Sequence, residues 1–412
     1  MMNFVDTYRC TLCGRTVLPH EAEGTCPTCG EKGILDVEYD YGKLRGFLDR
    51  TWLERNPLRT MFRYMPLLPL DDPAVSKMLP IGWTPLIRME VLERTLGLKS
   101  LHVKDEGANP SGSLKDRASA IAVLRAMSEG KKTVACSSTG NAASSLACHA
   151  ARMGLEAVIF VPGRAPVGKL NQILIHGAEV VMVDGDYKAA YALSKEAIET
   201  FGWYNRNAAV NANLVEGKKT AAYEIIEMLG YDVPDWVVVS VGDGCTIAGL
   251  HKGFYDFMKL GITDRLPKLL GVQSKGCAPL ADAFRTGKLK EAKEDTIADS
   301  IAVGIPRNPV KALSAVSASK GTWVTVSDDA ILEAMRTLGK HGIFAEPASA
   351  AGYAGLEEAR RQNIIKEDVS VVFVHTGHGL KDPDNARRAV GTPEPVKADM
   401  SALKHRFKTK GE

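Results

Sequence analysis

Lys104-Asp105-Glu106-Gly107-Ala108-Asn109-Pro110-Ser111-Gly112-Ser113-Leu114-Lys115-Asp116-Arg117 is the stretch on which the fold turns. Ahead of it, Leu101 to Glu106 reads as a strand entering a loop. Gly107, Pro110 and Gly112 then make a rigid turn. Behind it, Asp116 to Gly130 carries Ile121, Ala122, Leu124 and Met127 at helical spacing, with Gly130 as a stop. The same strand–loop–helix unit recurs outward from this point. Thr133 to Cys136, Ala157 to Val161 and Glu179 to Asp184 read as strands. Asn141 to Gly154, Val167 to Gly177 and Tyr187 to Phe201 read as the helices between and after them. Further strands follow at Trp236 to Val241, Leu269 to Gln273 and Val369 to His375. Strands that are apolar throughout, alternating with helices, imply parallel sheets covered on both faces. The expected class is a doubly wound α/β fold.

The chain has 412 residues, enough for two to three domains. Its 52 basic and 49 acidic residues leave a net charge of +3, which argues for neither nucleic-acid nor membrane partners. No apolar run approaches a membrane span, and the first residues do not read as a secretory leader, so a cytoplasmic location is expected. Residues 41 to about 95 read as a helical lead-in with connecting loops. The stretch from about 383 onward, rich in Pro, Lys and Arg, reads as a surface extension.

Half of the eight cysteines crowd into the first 30 residues as Cys10-x2-Cys13 and, twelve residues later, Cys26-x2-Cys29. Each pair sits in a Cys-x-x-Cys-Gly turn, and four thiolates suit tetrahedral zinc with no position left open for catalysis. A structural zinc ribbon is expected over residues 1–40. A degenerate, redox-active or iron-binding site is the competing reading.

Lys115 falls at the start of a helix, where the N-terminal NH dipoles favour the neutral amine that an imine-forming nucleophile needs. A loop lysine taken alone is usually a surface residue, so its neighbours decide. Three further loops each follow an apolar strand. Ser137-Ser138-Thr139-Gly140-Asn141 offers hydroxyls and NH groups at a helix N-terminus, suited to a carboxylate or phosphate or to simple capping. Val241-Gly242-Asp243-Gly244-Cys245-Thr246 lets the backbone approach a phosphate closely. His375-Thr376-Gly377-His378-Gly379-Leu380-Lys381-Asp382 ends the last strong strand.

Taken together, from about residue 80 to 390, these motifs resemble the fold-type-II pyridoxal-phosphate (PLP) enzymes. That group includes threonine synthase, threonine dehydratase, cysteine synthase and the tryptophan synthase β chain. The 376–382 run is closest to the threonine synthases, several of which also carry an N-terminal cysteine ribbon. The resemblance implies two twisted α/β sheets with the cofactor in the cleft between them. A large PLP-binding domain would comprise 41–116 and 206–390, a small domain 117–205 closing over substrate, and a C-terminal tail 391–412. It implies that Lys115 carries PLP as a Schiff base and moves protons. Asn141 would touch the cofactor's phenolic oxygen, and Gly242, Asp243, Gly244, Cys245 and Thr246 its phosphate. Thr376 would bond the pyridine nitrogen, Ser138 and Thr139 the substrate carboxylate, and Glu346-Pro347-Ala348-Ser349-Ala350 would be supporting structure.

Two stretches depart from the pattern. Asp243 stands where relatives usually carry Asn or Gly, so its carboxylate must turn away from a phosphate. In Asn211-Ala212-Asn213-Leu214-Val215-Glu216-Gly217-Lys218-Lys219-Thr220 the family's Pro-x-Arg is missing: Leu214 replaces the Arg that would hold the substrate phosphate, and Lys218 replaces a Gln. The resemblance implies conversion of O-phospho-L-homoserine and water to L-threonine and phosphate by a PLP-dependent lyase, as a homodimer. The changed Leu214 region leaves open another fold-type-II lyase or β-replacement enzyme, such as cysteate synthase on O-phosphoserine or a threonine or serine dehydratase. A non-catalytic zinc-ribbon binding protein is the third reading, opposed by the intact Lys115, Asn141 and Thr376.

Overall fold

The computed structural model describes residues 4–22, 24–71, 73–163 and 167–408. Its N-terminal segment is a three-stranded antiparallel sheet in which β1 (Val5–Cys10) lies between β2 (Thr16–Val17) and β3 (Leu35–Tyr39). The turns between these strands carry the cysteine pairs. A Cβ built on Gly33 would lie 2.6 Å from the Cβ atoms of Cys26 and Cys29, so only glycine lets the chain close there.

Two parallel sheets follow. The larger has the order β12-β11-β10-β13-β5-β4. It is built from β4 (Leu86–Arg88), β5 (Ser100–Asp105), β10 (Trp236–Ser240), β11 (Lys268–Ser274), β12 (Thr322–Val326) and β13 (Ser370–His375). All its pairings are parallel except β4 with β5. The smaller has the order β8-β7-β6-β9, all parallel: β6 (Thr133–Ser137), β7 (Glu156–Pro162), β8 (Glu179–Val183) and β9 (Tyr204–Asn205). The central strands are buried on both faces, as their unbroken apolar text requires. Val237, Val238 and Val239 have no exposed surface, and each such side chain contributes on the order of 2 kcal/mol when withdrawn from water.

Every strand and helix read from the sequence is present, within about three residues at its ends. The short edge strand β4 and the strand β12 were not anticipated. The stretch after 383 is more ordered than its composition implied. Asp382 accepts a hydrogen bond from Asn385 N and Pro383 takes the first helical position, which starts a helix over Pro383–Val390; a second runs over Met400–Lys408.

The ribbon is fastened to the helices behind the larger sheet. The Tyr8 hydroxyl donates to Asn213 (2.6 Å) and the Tyr39 hydroxyl to Glu216 (2.8 Å), both on the helix Asn213–Met228. Lys252 donates to the Val37 carbonyl (2.6 Å) and Lys311 pairs with Asp36 (2.7 Å).

Candidate active site

Parallel strands deliver their following loops to one edge, and ligands bind there. A cleft of about 470 Å³ opens where the carboxyl ends of both sheets meet. Its lining includes Lys115, Ser138, Thr139, Asn141, Lys218, Thr376 and all of Gly242, Asp243, Gly244, Cys245 and Thr246. All the cofactor and substrate residues expected from the sequence therefore converge on one cavity, although they are scattered over 260 positions of sequence.

Lys115 opens the helix Lys115–Ser128. The loop before it is locked to the loop after β13: Leu114 N donates to the Thr376 carbonyl (3.0 Å), and Ser113 bridges Gly377. Burial drives the Lys115 amine below its ordinary range, and the Arg206 guanidinium pushes the same way. The neutral amine is the form that attacks a carbonyl carbon.

The glycine loop after β10 gives way to the helix Cys245–Lys259. Gly244 takes φ +92° and no side chain caps the helix, so its first NH groups stay available at the cleft. A Cβ on Gly244 would lie 2.7 Å from Ala312 Cβ and 2.8 Å from the Asn308 carbonyl oxygen. Asp243 is turned away from the loop's centre, as its charge demands: its Oδ1 accepts from Arg307 N (3.2 Å) and its carbonyl from Asn308 N (3.0 Å).

Thr376 is held by its backbone. Its NH donates to Ser349 Oγ (2.9 Å), whose hydroxyl meets His375 Nδ1 (2.7 Å), and His375 Nε2 lies 3.4 Å from Asp105. Burial keeps His375 neutral, with its pKa pushed down to about 3, so this chain is a fixed brace. Ser349, read only as supporting structure, is the residue that fixes Thr376.

At the 137–141 loop the helix Asn141–Met153 is capped by Gly140, and Ser138 Oγ accepts from Gly140 N (3.2 Å). The Asn141 amide is engaged differently from the reading above. It donates to both oxygens of the buried Glu346 carboxylate (2.9 and 3.0 Å). That contact spans 205 residues, and no local signal in the sequence announces it.

Leu214 lies in the apolar core with 1% of its surface exposed, and its position offers the cleft no charge. Lys218, one helical turn further, does line the cleft; burial lowers its pKa to about 8. Arg206, which the sequence reading passed over, lines it too.

At the ribbon, the four thiol sulfurs of Cys10, Cys13, Cys26 and Cys29 lie within 4.8 Å of one another, and Cys13 Sγ is 3.8 Å from Cys26 Sγ. Four sulfurs at about 2.3 Å from one tetrahedral ion stand about 3.8 Å apart.

A buried lysine whose amine is pushed toward its neutral form, a glycine cradle at an uncapped helix start and a hydroxyl at a strand end form a donor set that fits an aldehyde-bearing aromatic phosphate. The chain belongs to the pyridoxal-phosphate dependent enzyme family, whose model matches residues 77–377. Among solved structures it resembles diaminopropionate ammonia lyase from Escherichia coli (TM-score 0.68, 19% identity, 83% of this chain and 92% of that one). It also resembles maize serine racemase (TM-score 0.62, 21% identity, 79% and 92%). These likenesses carry the fold. Closer in sequence are the threonine synthases of Methanocaldococcus jannaschii (41% identical over 409 residues, 97% of this chain and 99% of that one) and Methanosarcina acetivorans (38% over 401 residues, 96% and 97%). That of Synechocystis is 40% identical over 340 residues, 82% of this chain and 86% of its own. Within the family, the chain belongs with the threonine synthases, which are lyases.

Proposed function

We propose that this chain converts O-phospho-L-homoserine and water to L-threonine and phosphate, with Lys115 as the residue that carries PLP. The observation that supports it most is the convergence of Lys115, the 242–246 cradle, Thr376 and the 138–141 loop on one cleft. PLP, when bound, supplies the electron sink that stabilises negative charge at the substrate's α and β carbons. The protein's part is placement and proton handling. Gly242, Gly244, Cys245 and Thr246 hold the cofactor phosphate through backbone NH groups, with Asp243 held aside, and Thr376 meets the pyridine nitrogen. Ser138 and Thr139 orient the substrate carboxylate, and Asn141, oriented by Glu346, faces the ring oxygen. Lys115 Nζ would carry the cofactor and, as a neutral amine, would take the substrate's α proton and return protons later. Lys218 supplies positive charge toward the departing phosphate.

The same reading gives a small domain, 117–205, closing on a large one, 41–116 with 206–390, and ending in the tail 391–412. It also gives a cytoplasmic homodimer. Among the described residues no helix is long and apolar enough to cross a membrane. The quartet Cys10, Cys13, Cys26 and Cys29 holds a structural Zn²⁺ in this reading; metal analysis of protein from zinc-replete cells should find one zinc per chain, and far less removes the claim.

The deciding experiment measures phosphate release and amino-acid product from PLP-loaded protein given O-phospho-L-homoserine, O-phospho-L-serine or L-threonine. Threonine formed in step with phosphate is the expected result. Turnover of phosphoserine or threonine alone moves the chain to a sister activity.

A further inference from the structure

Arg206 follows β9 at the cleft edge of the smaller sheet. Its backbone NH donates to the Ala135 carbonyl of β6 (2.9 Å), so the residue is fixed beside the Ser137–Asn141 loop. The side chain is 1% exposed and lines the cleft. Its Nε donates to Ser119 Oγ (3.2 Å), one helical turn beyond Lys115 on the same helix. Among the described residues no carboxylate pairs with it, and one terminal nitrogen is buried without any hydrogen-bond partner. The carboxylate near it is occupied: Asp116 accepts from Ser111 N (2.6 Å) and lies 3.2 Å from His149.

A buried guanidinium left unpaired is costly, and proteins keep such groups where an anion will complete them. The cofactor phosphate already has its NH cradle at 242–246. Arg206 lies beside the loop that orients the substrate, within electrostatic reach of Lys115 and Lys218, and Leu214 supplies no charge to the cleft.

We infer that Arg206 is a specificity-determining residue that binds the phosphate ester of the substrate, with Lys218 as its partner, in place of an arginine at position 214. This rests on the reading of the cleft as a PLP site for a small phosphorylated amino acid. A planar fork donating to two phosphate oxygens explains why the group is an arginine and why a terminal nitrogen is left without a partner.

The test is a binding comparison on PLP-loaded protein, read from the change in cofactor absorbance. The ligands are two matched pairs: O-phospho-L-homoserine with L-homoserine, and O-phospho-L-serine with L-serine. Arg206→Gln should weaken the preferred phosphorylated ligand by about 30- to 100-fold. It should leave its unphosphorylated partner within about twofold and PLP content at one per chain. Arg206→Lys, which keeps the charge without the fork, should fall between and serves if the Gln variant does not fold. Equal weakening of phosphorylated and plain ligands overturns the inference, as does loss of PLP with no change in phosphate preference, which would assign Arg206 to the cofactor. If the wild type prefers phosphoserine, the threonine synthase reading fails while the phosphate-binding role of Arg206 is tested on that pair.

Discussion

Lys115 and Arg117 stand two residues apart on one helix, and they belong to two opposite kinds of buried charge. Arg117 is saturated. It pairs with Glu106 (2.7 Å) and with Glu224 (2.6 Å), Glu224 also pairs with Lys104 (2.7 Å), and Thr84 and Thr220 fill in the remaining contacts. All four charged side chains are fully buried, and two cations meet two carboxylates. Lys115, Arg206 and Lys218 form the other kind. They face one cavity, and no ion pair joins them to a carboxylate among the described residues. A balanced cluster has no use for a ligand. An unbalanced one, facing open volume, is completed by something from outside the chain. The difference separates architecture from chemistry without reference to sequence motifs, and it can be broken at either cluster.

The largest effect is expected at Lys115. Lys115→Ala should cost at least about 10³-fold in turnover and remove the visible absorbance of lysine-bound cofactor. Its cofactor-free form should melt no lower than the cofactor-free wild type, because the change deletes a buried amine that no ion pair holds among the described residues. Retained turnover and absorbance would remove Lys115 from the chemistry; a large drop in melting temperature would show that the two clusters are not different in kind.

Arg117→Met is the converse. It should leave Glu106 and Glu224 facing Lys104 alone and cost about 3–5 kcal/mol of stability, seen as a lower denaturation midpoint in the cofactor-free protein. Protein that does fold should bind PLP with its usual absorbance. A variant as stable as the wild type would mean the network is not what holds the Lys115 helix in place.

The fold was legible because its signal is local. Unbroken apolar runs such as Trp236 to Ser240, bounded by glycine loops and helices, specify buried parallel strands from a few residues each. The ribbon's cysteine spacing is just as local, as is the run from Asn109 to Arg117. What escaped the reading depends on distant partners. Leu86 to Arg88 is two half-buried residues and an exposed one at a sheet edge and has no periodicity to read. Asn141 was assigned to the cofactor; the carboxylate that orients its amide, Glu346, stands 205 residues away. Arg206 carries no motif at all. Its meaning lies in the carboxylates that do not reach it, and a missing partner cannot be read along the chain.

The smallest effect tests the open cluster by titration. Burial, with Lys115 and Arg206 adding repulsion, holds the Lys218 pKa near 8, well below the ordinary lysine value. The ammonium form is therefore half lost at about pH 8 and falls tenfold per unit well above it, while a phosphate ester is a dianion above about pH 6. Capture of a phosphorylated substrate, read as kcat/KM, should be best between these limits and fall about tenfold by pH 9. Lys218→Met should start lower and lose that alkaline limb. Stability supplies a second readout with its own sign. The folded protein sheds this proton near pH 8 and the unfolded chain only near about 10.4, so the unfolded state binds more protons in between. Lys218 thus contributes a rise in stability from about pH 8 to about pH 10, and the Met variant should lack it. An alkaline limb that persists in Lys218→Met would place the titrating group elsewhere in the cleft and leave Arg206 to hold the phosphate without Lys218.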